Sequence, residues 1–63
     1  MIILHRMNGE EFTLNSNHIE IMEERPDTVI TMTNDRKYIV TESVDIIVRK
    51  IKEYQTALLA GIK

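Results

Sequence analysis

Up to Thr41 the chain alternates apolar and polar residues with a period of two; after Ser43 the period becomes that of a helix. Five segments carry the strand period: "IILHRM" (2–7), "EEFTLN" (10–15), "IEIMEE" (19–24), "VITMT" (29–33) and "RKYIVT" (36–41). Alternate residues of a strand face opposite sides of a sheet, so each segment has a face to bury. The breaks between segments are turn-like. Asn8-Gly9 is a strong hairpin signal, because a type I′ turn needs φ > 0 at both central residues. "NSNH" (15–18) is polar. Pro26-Asp27-Thr28 forms a corner, with Pro presetting φ, Asp capping turn backbone and Arg25 held extended by the proline. Asn34-Asp35 is a weaker tight turn, since Asp pays more than Gly for φ > 0.

A two-residue first loop pairs Met7 with Glu10, Arg6 with Glu11, His5 with Phe12 and Ile3 with Leu14. One face then carries Ile3, His5, Met7, Phe12 and Leu14, and the other Ile2, Leu4 and Thr13. Both faces are partly apolar, which places the first strand centrally or under cover on both sides. A longer loop with a bulge shifts these pairs. Ile19 and Ile21 share a face of the third strand. A two-residue loop at Asn34-Asp35 pairs Ile30 with Ile39, Val29 with Val40 and Thr31 with Tyr38.

Val44, Ile47, Val48, Ile51, Tyr54 and Leu58 recur at the spacing of an amphipathic helix. Ser43 is suited to the N-cap, Asp45 sits where the helix dipole favours an anion, and Gly61 suits a helix stop. Arg49, Lys50 and Lys52 lie mostly on the polar face. Leu59 and Ile62 extend the apolar surface beyond one stripe. The expected fold is α+β: a small antiparallel sheet of about five strands with one C-terminal amphipathic helix across a face.

Composition narrows the function classes. The chain has 63 residues, expected to form one domain over 1–63. A domain this small buries only about 60% of its unfolded surface. There is no cysteine, so neither a disulfide nor a thiolate metal site helps, and self-association or docking is the remaining aid. Eight basic and ten acidic residues give a net charge of −2, which makes non-specific nucleic-acid binding an unfavoured reading. No segment is long and apolar enough to span a membrane, and no secretory signal is visible. The expected location is cytoplasmic, with peripheral attachment open.

Candidate chemistry is sparse. His5 and His18 lie outside recognised metal-ligand spacings, so His5 beside Phe12 reads as a structural or surface histidine. Glu10-Glu11 and Glu23-Glu24 point to opposite faces within each pair and read as solvated edges. Met7, Met22 and Met32 read as core filling rather than an adaptable surface. Arg36-Lys37 with Tyr38 could stack on and pair with RNA, but two basic residues at a turn usually form a solvated tip. No nucleophile–base pair is recognisable, so no catalytic residue, cofactor or metal is expected. Leu58, Leu59 and Ile62 are the candidate contact surface.

The segments "MNGEEFTLN", "IE" at 19–20, "PDTVITM", "KYIVTES" and the Ile51 to Tyr54 spacing together resemble the small FlbD-like flagellar family, also called swarming motility protein SwrD in Gram-positive bacteria. The resemblance spans nearly the whole chain. It implies a role in flagellar motility, with motor power supported through stator units or other motor components near the flagellar base; a homo-oligomer is a separate expectation, from the small core and the apolar tail. Asn8, Gly9, Pro26, Asp27, Thr28, Glu42 and Ser43 are the motif positions carried over, read as architectural. Two positions depart: the family commonly has Asn-Gly where this chain has Asn34-Asp35, and Thr where this chain has His5. A second resemblance is narrower. "MIILHR" and the order of elements are similar to the RNA-binding dimer CsrA, a post-transcriptional regulator whose basic edge is not matched here. RNA binding is therefore the alternative function.

Overall fold

In a computed structural model the backbone is described for residues 1–61 and the side chains for residues 1–56. The strands are β1 (Ile2–His5), β2 (Glu11–Leu14), β3 (Ile19–Glu24), β4 (Thr28–Met32) and β5 (Lys37–Val40), followed by helix α1 (Val44–Gly61). A short 3₁₀ turn at Ser16–His18 joins β2 to β3, with the Asn15 side chain accepting from the Asn17 N–H. The small α+β class is as expected. The strands form two antiparallel sheets rather than one, β1-β2 and β3-β4-β5. A single antiparallel bridge, Arg6 with Val40, stitches them together.

Both hairpins differ from the expected register by one residue, for the same reason. Gly9 N–H donates to Arg6 O at 2.9 Å and Arg6 N–H to Glu10 O at 2.8 Å. Asp35 N–H donates to Met32 O at 3.0 Å and Met32 N–H to Arg36 O at 2.8 Å. Each loop is thus a three-residue connection whose last residue is left-handed, Gly9 at φ 91° and Asp35 at φ 69°. Asn8 and Asn34 do not adopt positive φ. Their side-chain oxygens instead accept the N–H of Glu10 at 2.9 Å and Arg36 at 3.1 Å, closing a local turn. The type I′ expectation is corrected accordingly.

The shift produces clean faces. Ile2 pairs with Leu14 and Leu4 with Phe12, so these four face inward while Ile3, His5, Glu11 and Thr13 face out. Thr28 pairs with Val40 and Ile30 with Tyr38, leaving Val29, Thr31, Lys37 and Ile39 on the other side. The one-residue slip regroups the β2 side chains against β1, so the inner face is wholly apolar while Ile3 stays exposed on the outer one; β1 pairs with β2 alone and is not the central strand expected. β3 carries a bulge between Ile19 and Ile21. The extra residue breaks the alternation, so Ile19 and Met22 pack on the core while Ile21 is exposed. Thr28, expected in the corner, begins β4 and is buried.

The core consists of Ile2, Leu4, Leu14, Ile30, Met32, Val40 and Ile47. Met22 packs against it, whereas Met7 is exposed and does not fill the core. Among the described side chains, those of the helix that reach the core come from its first turns. Ile47 is fully buried and Ile51 packs on the core, but Ile46, Val48 and Tyr54 are exposed. An 18-residue helix is about 27 Å long, and the molecule measures 39 × 23 × 18 Å. The helix is therefore a partial cover that continues past the strands.

The left-handed loop positions give a paired prediction. A Cβ added at Gly9 would meet no atom within 4 Å, so Gly9→Ala carries only the backbone cost and should lower stability by about 1 kcal/mol. Asp35→Gly relieves that cost and should raise stability by about 0.5 kcal/mol. Urea midpoints moving in opposite directions at unchanged slope would show it.

Candidate functional site

Three chain-distant segments meet beside the Arg6–Val40 bridge: the end of the first hairpin, the β3–β4 corner and the β5–α1 junction. Glu42 organises the meeting. It directly follows Thr41, whose N–H donates to His5 O at 3.0 Å and so continues the bridge. The Glu42 carboxylate then turns back onto the same residue. Its Oε1 accepts the His5 N–H at 3.0 Å and its Oε2 lies 2.6 Å from His5 Nδ1. With Glu42 ionised, Nδ1 carries the proton and donates it. The other ring nitrogen, Nε2, lies 3.7 Å from Glu11 Oε1. That contact is an ion pair only when the ring is protonated, so the neutral ring ties β1 to the β5–α1 junction alone. The polar spacing of a sequence read as mostly apolar around His5 gave no sign of the Glu42 partner, 37 positions away.

Burial of the Glu42 side chain opposes its ionisation. Hydrogen bonds from the His5 ring and the His5 backbone N–H outweigh that effect, and the carboxyl sits below its ordinary value.

A second glutamate holds the helix start. Glu24, at the end of β3, accepts the Val44 N–H on Oε1 at 3.0 Å, and Ser43 Oγ accepts the Ile46 N–H at 3.3 Å. Two of the helix's unpartnered donors are satisfied, one by a strand residue and one by the N-cap. Glu24 also places an anion at the positive end of the helix dipole. Its role as a distant cap was not visible in the Glu23-Glu24 pair, because capping partners are found in sequence only when they are local. At the corner, Arg25 N–H donates to Asp27 O at 3.1 Å, and the Arg25–Pro26 peptide is cis.

These constraints shape a cleft of about 220 Å³ lined by Met7, Glu24, Pro26, Asp27, Thr28, Val40, Thr41 and Ser43. Of the motif positions, Pro26, Asp27, Thr28 and Ser43 line it, and Glu42 braces its wall from the His5 side. Asn8 and Gly9 shape the hairpin end that presents Met7, without lining the cleft. The side chains of Leu58 and Leu59 and the whole of Ile62 lie outside the described residues. Among the described residues no cluster of three or more His, Asp or Glu is placed to hold a metal ion. No described helix is long and apolar enough to cross a membrane.

A second polar feature lies at the seam. The Arg6 guanidinium sits 4.6 Å from the Phe12 ring centroid and 5.6 Å from that of Tyr38, and the two rings are 5.5 Å apart. Phe12 belongs to β2 and Tyr38 to β5, so the cation spans both sheets.

The lowered Glu42 value fixes the sign of a pH effect. A carboxyl depressed in the folded state contributes stability that is present above its unfolded value, about 4.3. That stability is lost as pH falls through the folded value. Glu42→Gln should cost about 1–3 kcal/mol at pH 7, because hydrogen bonds to a charged acceptor weaken and the buried site stays polar. The gap between the two proteins should narrow below about pH 4, read from urea midpoints across a pH series.

No curated protein and no solved structure matches the chain. The model of the family FlbD, flagellar and swarming motility proteins, matches residues 1–59 and so includes every residue that lines the cleft. The chain belongs to the FlbD family of flagellar and swarming motility proteins.

Proposed function

We propose that this chain supports flagellar motor output as a non-enzymatic docking module, contacting stator units or another motor component at the cytoplasmic side of the flagellar base. The observation that carries this reading is the convergence of the corner and junction segments on one braced cleft. Its volume, about 220 Å³, falls below the roughly 300–1,000 Å³ of small-molecule pockets. A cleft of that size suits one anchoring side chain of a protein partner, the kind of contact that dominates an interface. Met7, exposed at its edge, offers an adaptable apolar rim.

RNA binding is a second reading, with one observation in its favour. Arg6 is stacked on two rings, and Arg36 and Lys37, both exposed, directly precede one of them, Tyr38, in the chain. Stacking platforms beside cations are used for single-stranded nucleic acid. The net charge of −2 weighs against it.

Rotation of tethered cells under viscous load separates the two, with filaments counted in parallel. A strain lacking the gene should keep its filaments and rotate weakly. The wild-type gene should restore rotation, and a Met7→Glu variant that folds normally should not. Loss of filaments would instead point to assembly or expression, and salt-dependent retention of a flagellar leader RNA would then support the second reading.

A further inference from the structure

β1 and the third turn of α1 border a second, open groove of about 340 Å³ that shares no lining residue with the cleft. It is lined by Met1, Ile2, Ile3, Lys50, Glu53 and Tyr54. Ile2 belongs to the core, but Met1 is 55% exposed, Ile3 47% and Tyr54 36%. Ile46, on the same side of the helix one turn before Lys50, is 41% exposed. Large apolar side chains thus collect where the helix leaves the strands.

The charges on this face identify what covers it. Lys50 and Glu53 are three residues apart on the helix and flank the groove together. The ion pairs found among the described residues both belong to His5, so Lys50 and Glu53 have no such partner there. A purely acidic or purely basic partner would meet one favourable and one unfavourable charge. A face that carries one cation beside one anion is complementary to itself when a second copy is turned by a two-fold axis. Each Lys50 then meets the other copy's Glu53, which is the requirement of an isologous interface.

We infer that this face is a homodimer interface in which two α1 helices pack antiparallel, with Tyr54, Ile3 and Met1 between them and Lys50 and Glu53 paired reciprocally across the axis. An aromatic centre within a charged rim is the usual anatomy of such a contact. Dimerisation extends the core stripe of Ile47 and Ile51 into an apolar centre that one chain lacks. The inference is independent of the cleft and of the partner proposed for it.

Charge exchange tests it. Sedimentation equilibrium on the full chain should show a reversible dimer. Lys50→Glu and Glu53→Lys, each confirmed helical by circular dichroism, should each weaken dimerisation by at least about tenfold. Combined in one chain, they should restore it to within about threefold of wild type. A monomer at every concentration, or single variants that dimerise as wild type does, would overturn the inference. So would a double variant as weak as the singles. A measurement without substitutions runs alongside. Carbodiimide treatment of mixed ¹⁴N and ¹⁵N protein should give Lys50–Glu53 linked peptides carrying both isotopes. Linkage confined to one isotope per peptide pair would overturn it.

Discussion

A carboxylate at position 42 receives two hydrogen bonds from a single residue of the first strand, and the fold is organised around that pairing. The strands divide into a two-stranded and a three-stranded sheet, joined by one bridge. Isolated two-stranded hairpins are marginal in water. The junction from Val40 to Ser43 changes this. Val40 bridges Arg6, Thr41 donates to His5 O, and Glu42 accepts from both the backbone and the ring of His5. Arg6, stacked on Phe12 and Tyr38, closes the same seam from the other side. Three successive residues, Val40, Thr41 and Glu42, therefore tie the start of the chain to the start of its helix.

The cleft follows from the same constraint. Once Thr41 and Glu42 are fixed on β1, Ser43 has no freedom in where it begins the helix, and Glu24 reaches the first helical N–H. The corner at Pro26 and Asp27 is then held opposite Ser43, with Met7 at the edge. Glu24 and Ser43, which line this region, are spent on helix N–H groups, and Glu42 is spent on His5. What remains exposed is a shaped gap with Met7 at its rim.

The element types were legible because the change from period two to period 3.6 after Ser43 is sharp. The Ser43 cap was legible because capping is local: its side chain serves Ile46, three residues on. Register was not, since Asn-Gly and Asn-Asp fit either a two-residue or a three-residue loop. The face pattern contained the answer. Only the three-residue loop puts Ile2, Leu4, Phe12 and Leu14 together and sends His5 and Thr13 outward. The bulge at Ile19–Ile21 left no comparable trace, because both ends of it are isoleucine. At the site, Pro26, Asp27, Thr28 and Ser43 could be picked out by turn chemistry and resemblance. Their convergence, and the parts played by His5 and Glu24, depend on pairings between strands that local pattern does not encode. The helix stripe was overread: Ile47 and Ile51 reach the core, but Val48 and Tyr54 stay exposed, Tyr54 in an open groove beside β1.

The central claim is that the two sheets form one cooperative body through the β1–β5 seam. Native-state hydrogen exchange tests it at two amides, the Thr41 N–H bonded to His5 and the His5 N–H bonded to Glu42. If the seam holds the fold together, both should open only with global unfolding, at the same free energy as the amide of Ile30 in the buried centre of β4. Exchange of the seam amides at a clearly lower free energy, with Ile30 still protected, would mean that the sheets separate while each stays folded, and would contradict the account.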